Sequence, residues 1–134
     1  MKINHGRVAG EPSAHRDATF TGAVWSEPLL RGVPGVIINT VFFPPGVRTD
    51  WHRHGTGQIL IVTHGRGLAV NEDGDGGAIM PGDVVWFEPG ERHWHGGGPD
   101  TYVSHIAISL GTTDWEDAVT DDAYLKGLEK RQNR

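Results

Sequence analysis

An all-β sandwich or barrel followed by a short helical segment is the fold the sequence predicts, on three observations. Strand-length runs rich in Val, Ile, Phe and Trp recur at intervals of roughly 8–12 residues. Clusters of turn residues separate them, drawn from twenty glycines and eight prolines. Only the segment beginning at Asp114 changes to helical spacing.

Taken in order, the strand candidates are "TFTGAVW", "GVIINTVFF", "QILIVTHG", "GLAVNED", "DVVWF", "HWHG" and "YVSHIAIS". Each is rich in β-branched or aromatic residues, which suit a pleated, half-buried surface. The stretches "PPG", "EDGDGG", "PGD" and "GGGPD" read as the turns between them. In "DWEDAVTDDAYLKGLEKRQ" the acids come early and the bases late, as the helix dipole prefers, so one or two short helices are expected there. Residues 1–18 are expected to be a flexible lead, residues 19–112 the barrel and residues 113–134 the helical tail, with Asn133 to Arg134 loose. No internal repeat is present.

At 134 residues the chain has room for one domain and one core. Its formal net charge is −5 and no Lys/Arg cluster stands out, so nucleic acid is not an expected partner. Without cysteine there is no disulfide, no thiolate nucleophile and no Cys-type zinc site. The start "MKINHGRVAG" has no apolar run after its lysine, and no stretch approaches membrane-spanning length. A soluble cytoplasmic protein acting on a small molecule, with no membrane partner, is expected. The β-rich "TFTGAVWSEPLL" has an edge to offer, and a homodimer is expected.

Eight histidines carry the functional signal. Residues i and i+2 of a strand share a face, so His52 projects with His54, and His93 with His95. His105 shares its face with Ala107 and Ser109. Three strands can thus deliver imidazoles into one cavity. A lone strand histidine is ordinarily a surface residue, and His5, His15 and His64 read that way. Two H-x-H pairs, each beside a glycine turn in one small β domain, are different. A buried imidazole cluster calls for a cation or abundant water, and three histidines with one oxygen donor suit Mn, Fe, Co, Ni or Zn with positions left open. Trp51, Trp86, Phe87 and Trp94 read as core.

These residues resemble the cupin superfamily. Its first motif is matched by Gly46, His52, His54 and Gly65, with Gln58 in the place of the usual glutamate. Its second is matched by Gly82, Gly90 and His93, although the proline falls one place late, as Pro89, and Gly97 replaces an asparagine. The resemblance implies a jelly-roll barrel of six to eight strands and one divalent metal per chain, manganese by preference with Fe, Ni, Co or Zn also fitting, held by His52, His54, Gln58 and His93. Over about residues 19–124 the chain is more specifically similar to short bacterial cupins that include manganese-dependent hydroxynitrile lyases, and to the cupin part of carboxymuconolactone-decarboxylase-like proteins. That likeness implies a homodimer and roles near the metal for His95 and His105.

Gln58 has a consequence of its own. Three neutral imidazoles and an amide leave the full charge of a divalent ion, which makes it a stronger Lewis acid toward an anion than a carboxylate ligand would. His95 stands roughly 6–7 Å along the strand from His93, a position suited to moving a proton, as is that of His105. Thr49, Asn39 and Val41 are candidates for the cavity mouth, the first two as hydrogen-bonding partners of a substrate oxygen. Three functions fit: a metal-dependent lyase resembling the hydroxynitrile lyases, a metal-dependent dioxygenase, and a metal-dependent binding or sensing module without turnover.

Overall fold

The computed structural model describes residues 1–6 and 12–131. The expected flexible lead lies partly, and the expected loose end Asn133 to Arg134 wholly, outside these residues. Eleven strands and one helix follow in the order β1 (Ala14–Arg16), β2 (Val24–Val33), β3 (Val36–Phe43), β4 (His52–His54), β5 (Gly57–Gly65), β6 (Gly67–Asn71), β7 (Gly76–Ile79), β8 (Val84–Phe87), β9 (His93–Gly97), β10 (Val103–Leu110), β11 (Thr113–Trp115) and α1 (Asp121–Arg131). A six-stranded sheet in the order β1-β2-β3-β10-β5-β8 faces a five-stranded sheet in the order β11-β4-β9-β6-β7. All pairings are antiparallel. This is a jelly-roll barrel with a short C-terminal helix, as expected.

Alternation along each strand sorts the side chains. Val24, Val41, Phe43, Leu60, Val62, Ala69, Ile79, Phe87, Val103 and Ala107 fill the space between the sheets. Strand β9 is buried along its whole length because it is covered on both faces. His93 and His95 face the barrel interior, and Trp94 packs on the opposite side with Leu68, Val70, Val119 and Tyr124 beneath α1. Thr120 caps that helix, its Oγ1 accepting from the Ala123 amide at 3.1 Å. The guanidinium of Arg48 ties the helix to the barrel by donating to the Val119 carbonyl at 2.6 Å and pairing with Asp121 at 3.0 Å. Among the described residues no helix is long and apolar enough to cross a membrane.

Several boundaries differ from expectation for identifiable reasons. Ala14–Arg16, within the segment expected to be flexible, pairs with Val24–Ser26. Thr113–Trp115, assigned to the helical tail, pairs with His52–His54 as β11. The "TFTGAVW" strand starts only at Val24 and continues through Pro28 to Val33, with register shifts after Pro28 where the ladder lacks a donor. "GDGG" reads as a turn, yet Gly76 opens β7. A Cβ there would stand 2.0 Å from the Ala69 carbonyl oxygen, so only glycine lets this hairpin close. His64 lies in β5 rather than at a turn and is exposed, as is His15. Phe87 and Trp94 are core, whereas Trp86 is 46% exposed on the outer face and Trp51 is half-buried.

Candidate functional site

Register places the inward side chains in rows. Ser26, Val41, His105 and Val62 stand side by side across β2, β3, β10 and β5, and Asn39, Ala107 and Leu60 form the next row. Ile37, Ser109 and Gln58 form a third. From the other sheet, His52 is paired in register with His93. Strand β9 can lie close under the 48–49 segment because residue 96 is glycine, where a Cβ would meet the Val47 carbonyl oxygen at 2.4 Å. The Thr49 amide accordingly donates to the His95 carbonyl at 2.9 Å, and the His95 amide to Thr49 Oγ1 at 3.3 Å.

Five histidines converge in the interior: His52, His54, His93, His95 and His105, none more than 4% exposed. The ring centroids of His52 and His93 are 4.3 Å apart, those of His52 and His54 5.0 Å, and those of His95 and His105 5.0 Å. One nitrogen from each of His52, His93 and His95 falls within 4.8 Å of the others, a group that could hold a metal ion. His54, expected among the ligands, has its ring 5.5 Å from that of His93. His95, expected to move protons, lies in the close group.

His52, His54 and His93 are each held from behind at Nδ1 by an oxygen. His52 Nδ1 donates to the Asp50 carbonyl and His93 Nδ1 to the Glu91 carbonyl, both at 2.8 Å. His54 Nδ1 meets Thr113 Oγ1 at 3.0 Å. For His52 and His93 the carbonyl backing fixes the proton on Nδ1 and turns Nε2 toward the interior with its lone pair free, the arrangement that metal-ligating histidines require. His54 Nε2 is buried with no partner, and so are His95 Nε2 and His105 Nδ1.

Gln58 completes the cluster. Its Nε2 donates to Ser109 Oγ at 3.1 Å, which aims Oε1 at His93 Nε2, also 3.1 Å away. With the His93 proton on Nδ1, both facing atoms are acceptors. A cation shared between these two lone pairs would satisfy both. The imidazoles do not provide one as protons: burial pushes His93 down to about 3 and His54 and His105 to about 4. Burial, reinforced by neighbouring histidines, holds His52 and His95 well below the ordinary range. All five are neutral at neutral pH. The donor set therefore fits a divalent metal.

The cluster opens into a cavity of about 530 Å³. Its lining includes His52, His54, Gln58 and His95 together with Asn39, Val41 and Thr49, so the expected mouth residues are brought to the histidines. His93 and His105 lie behind this surface, and His105 Nε2 reaches His95 Nδ1 at 3.2 Å. Sequence reasoning missed Arg16, Ser26, Phe20 and Trp115, which also line the cavity. Alternation with Val24 could have placed Ser26 inward. Nothing local marks Arg16.

Comparison with known proteins points the same way. Residues 39–104 match the Cupin domain family. An (R)-mandelonitrile lyase of Granulicella tundricola is 45% identical over 127 residues, covering 90% of this chain and 97% of that protein. The crystal structure of a cupin-like protein from Thermotoga maritima, 37% identical, superposes with a TM-score of 0.84 over 93% of this chain and 100% of that one. A predicted oxalate decarboxylase from Thermotoga maritima, 21% identical, shares the fold, with a TM-score of 0.70 over 81% of this chain and 99% of that one.

Proposed function

Because the chain belongs to the cupin family, we propose that it is a divalent-metal-dependent lyase that makes or breaks the C–C bond of a cyanohydrin, acting on a small carbonyl or hydroxyl compound. The observation that carries this is the pair of facing acceptors, Gln58 Oε1 and His93 Nε2, set beside a histidine pair that opens on the cavity. The 45% identity to a mandelonitrile lyase supports the choice of reaction.

His52, His54 and His93 would hold the metal through Nε2, with Gln58 through Oε1 and with manganese the preferred ion. Their Nδ1 atoms are the ones backed by oxygens, whereas His95 is backed by another imidazole. The metal would supply Lewis acidity, undiminished by any carboxylate ligand. In the cleavage direction a base takes the proton of the cyanohydrin hydroxyl. The O–H electron pair then forms the carbonyl, and the C–C pair departs with cyanide. His95 faces the cavity and is neutral, so it can accept that proton, and His105 behind it can share it. Thr49 and Asn39 would hydrogen-bond the substrate oxygen, with Val41 against its apolar part.

Elemental analysis of the purified protein, together with a benzaldehyde–cyanide assay and an oxygen electrode, tests the reading. Stoichiometric divalent metal and cyanohydrin formation without oxygen uptake are expected. Oxygen consumption with a chelating substrate would replace the lyase by a dioxygenase. Metal without any turnover would leave a binding module.

A further inference from the structure

The β1 end of the cavity has a chemistry that the histidine cluster does not explain. Arg16 stands opposite Val24 in the β1–β2 register and lines the cavity, although like the rest of β1 it is exposed. Its Nε donates to Ser26 Oγ at 2.7 Å, and Ser26 is 4% exposed, so one nitrogen of the guanidinium is anchored on a buried hydroxyl. The two Nη atoms remain. Among the described residues Arg16 pairs with no carboxylate, whereas Arg48, Arg53 and Arg92 each do. Ser26, Val41 and His105 are in register on adjacent strands, which puts Ser26 two strand spacings, roughly 10 Å, from the His105 backbone. Apolar Ile37, Val41, Phe43 and Ala107 line the wall between the two ends.

We propose that Arg16 is a specificity-determining residue that binds a substrate carboxylate borne several bonds from the reacting carbonyl or hydroxyl group. This rests on the histidine end being the reaction centre. The planar Nη fork matches a carboxylate in a two-point contact. A phosphate dianion fits less well, because Asp17 also lines this end and leaves it with little net positive charge. An aromatic or short aliphatic spacer crosses the apolar wall. A 2-hydroxy acid such as mandelate, with its carboxylate beside the carbinol carbon, cannot reach both ends.

The test is calorimetric binding of 4-(hydroxymethyl)benzoate, benzyl alcohol and mandelate to the full-length protein, metal-free and metal-loaded. The parent protein is expected to hold 4-(hydroxymethyl)benzoate about threefold or more tighter than benzyl alcohol, the size of one solvent-screened ion pair. Arg16→Met and Arg16→Gln should both abolish that preference and leave benzyl alcohol unchanged, while mandelate, which can reach Arg16 but not both ends at once, should weaken by less than 4-(hydroxymethyl)benzoate. Arg16→Lys should keep part of it, and Asp17→Asn should increase it. Equal affinity for the acid and the alcohol in the parent, or a preference that survives both Arg16→Met and Arg16→Gln, overturns the proposal. Metal that changes none of these affinities would count against the metal-centred reaction instead, because the Arg16 dependence is read in the metal-free protein as well.

Discussion

Gln58 Oε1 lies 3.1 Å from His93 Nε2, held there by the bond from its own amide nitrogen to Ser109. Replacing this neutral ligand by a carboxylate lowers the charge of a loaded site by one. Gln58→Glu is therefore expected to retain metal more strongly through dialysis and to bind azide or cyanide at least several-fold more weakly. Equal inhibition of parent and variant by azide would remove the charge argument.

Replacing His52, His54 or His93 by Ala should each strip most of the metal, since each deletes one of few donors. The position of His54 gives this experiment its discriminating power, because the tightest group of nitrogens includes His95 in its place. Full metal content in the His54→Ala variant, with loss in His95→Ala, would exchange the two roles.

Acid should destabilise the metal-free chain steeply. The interior histidines have folded values depressed from 6.5, to about 4 for His54 and His105 and about 3 for His93. Below 6.5 the unfolded chain takes up protons that the folded chain refuses, so their contribution to stability is full above that pH. It is lost as pH falls toward the folded values. Urea midpoints of the metal-free protein should fall continuously from pH 7 to pH 4. A flat profile over that window would show that the imidazoles are solvated.

Association is expected through the outer face of the six-stranded sheet. Trp25, Phe42 and Tyr102 cluster there, 36–41% exposed, with the Phe42 and Tyr102 rings stacked at 5.3 Å. The edge expected from "TFTGAVWSEPLL" is covered by β1 over Val24–Ser26. We propose a homodimer that buries this patch. Sedimentation at micromolar concentration should show it, and Phe42→Glu should shift it toward monomer; a parent protein that is only monomer would refute it.

Alternation and turn chemistry made the barrel and the five inward histidines legible in the sequence, because period-two signals survive in "TDWHRH", "RHWHGG" and "YVSHIAIS". What stayed hidden depends on partners distant in sequence. The strand at Gly76 exists because Ala69 needs a neighbour without a side chain. Trp86, read as core, is 46% exposed because it points to the outer face of the six-stranded sheet, whereas Phe87 beside it points in. Arg16 enters the cavity because β1 pairs with β2, a pairing that three residues of irregular composition do not announce.

The contact between His95 and His105 decides whether the cluster does proton chemistry. His105 Nε2 and His95 Nδ1 are 3.2 Å apart, and only His95 lines the cavity. If the pair moves the substrate proton, His95→Ala should lower turnover by a factor on the order of 10²–10⁴. His105→Ala should cost less, since it acts through His95. The double variant should fall little below His95→Ala, because residues of one relay are not additive. Metal content should stay near that of the parent in all three. A structural role alone would move stability without this pattern in turnover, so thermal melts are run alongside. Metal-replete His95→Ala and His105→Ala variants with full turnover on every accepted substrate would end the proton-relay mechanism.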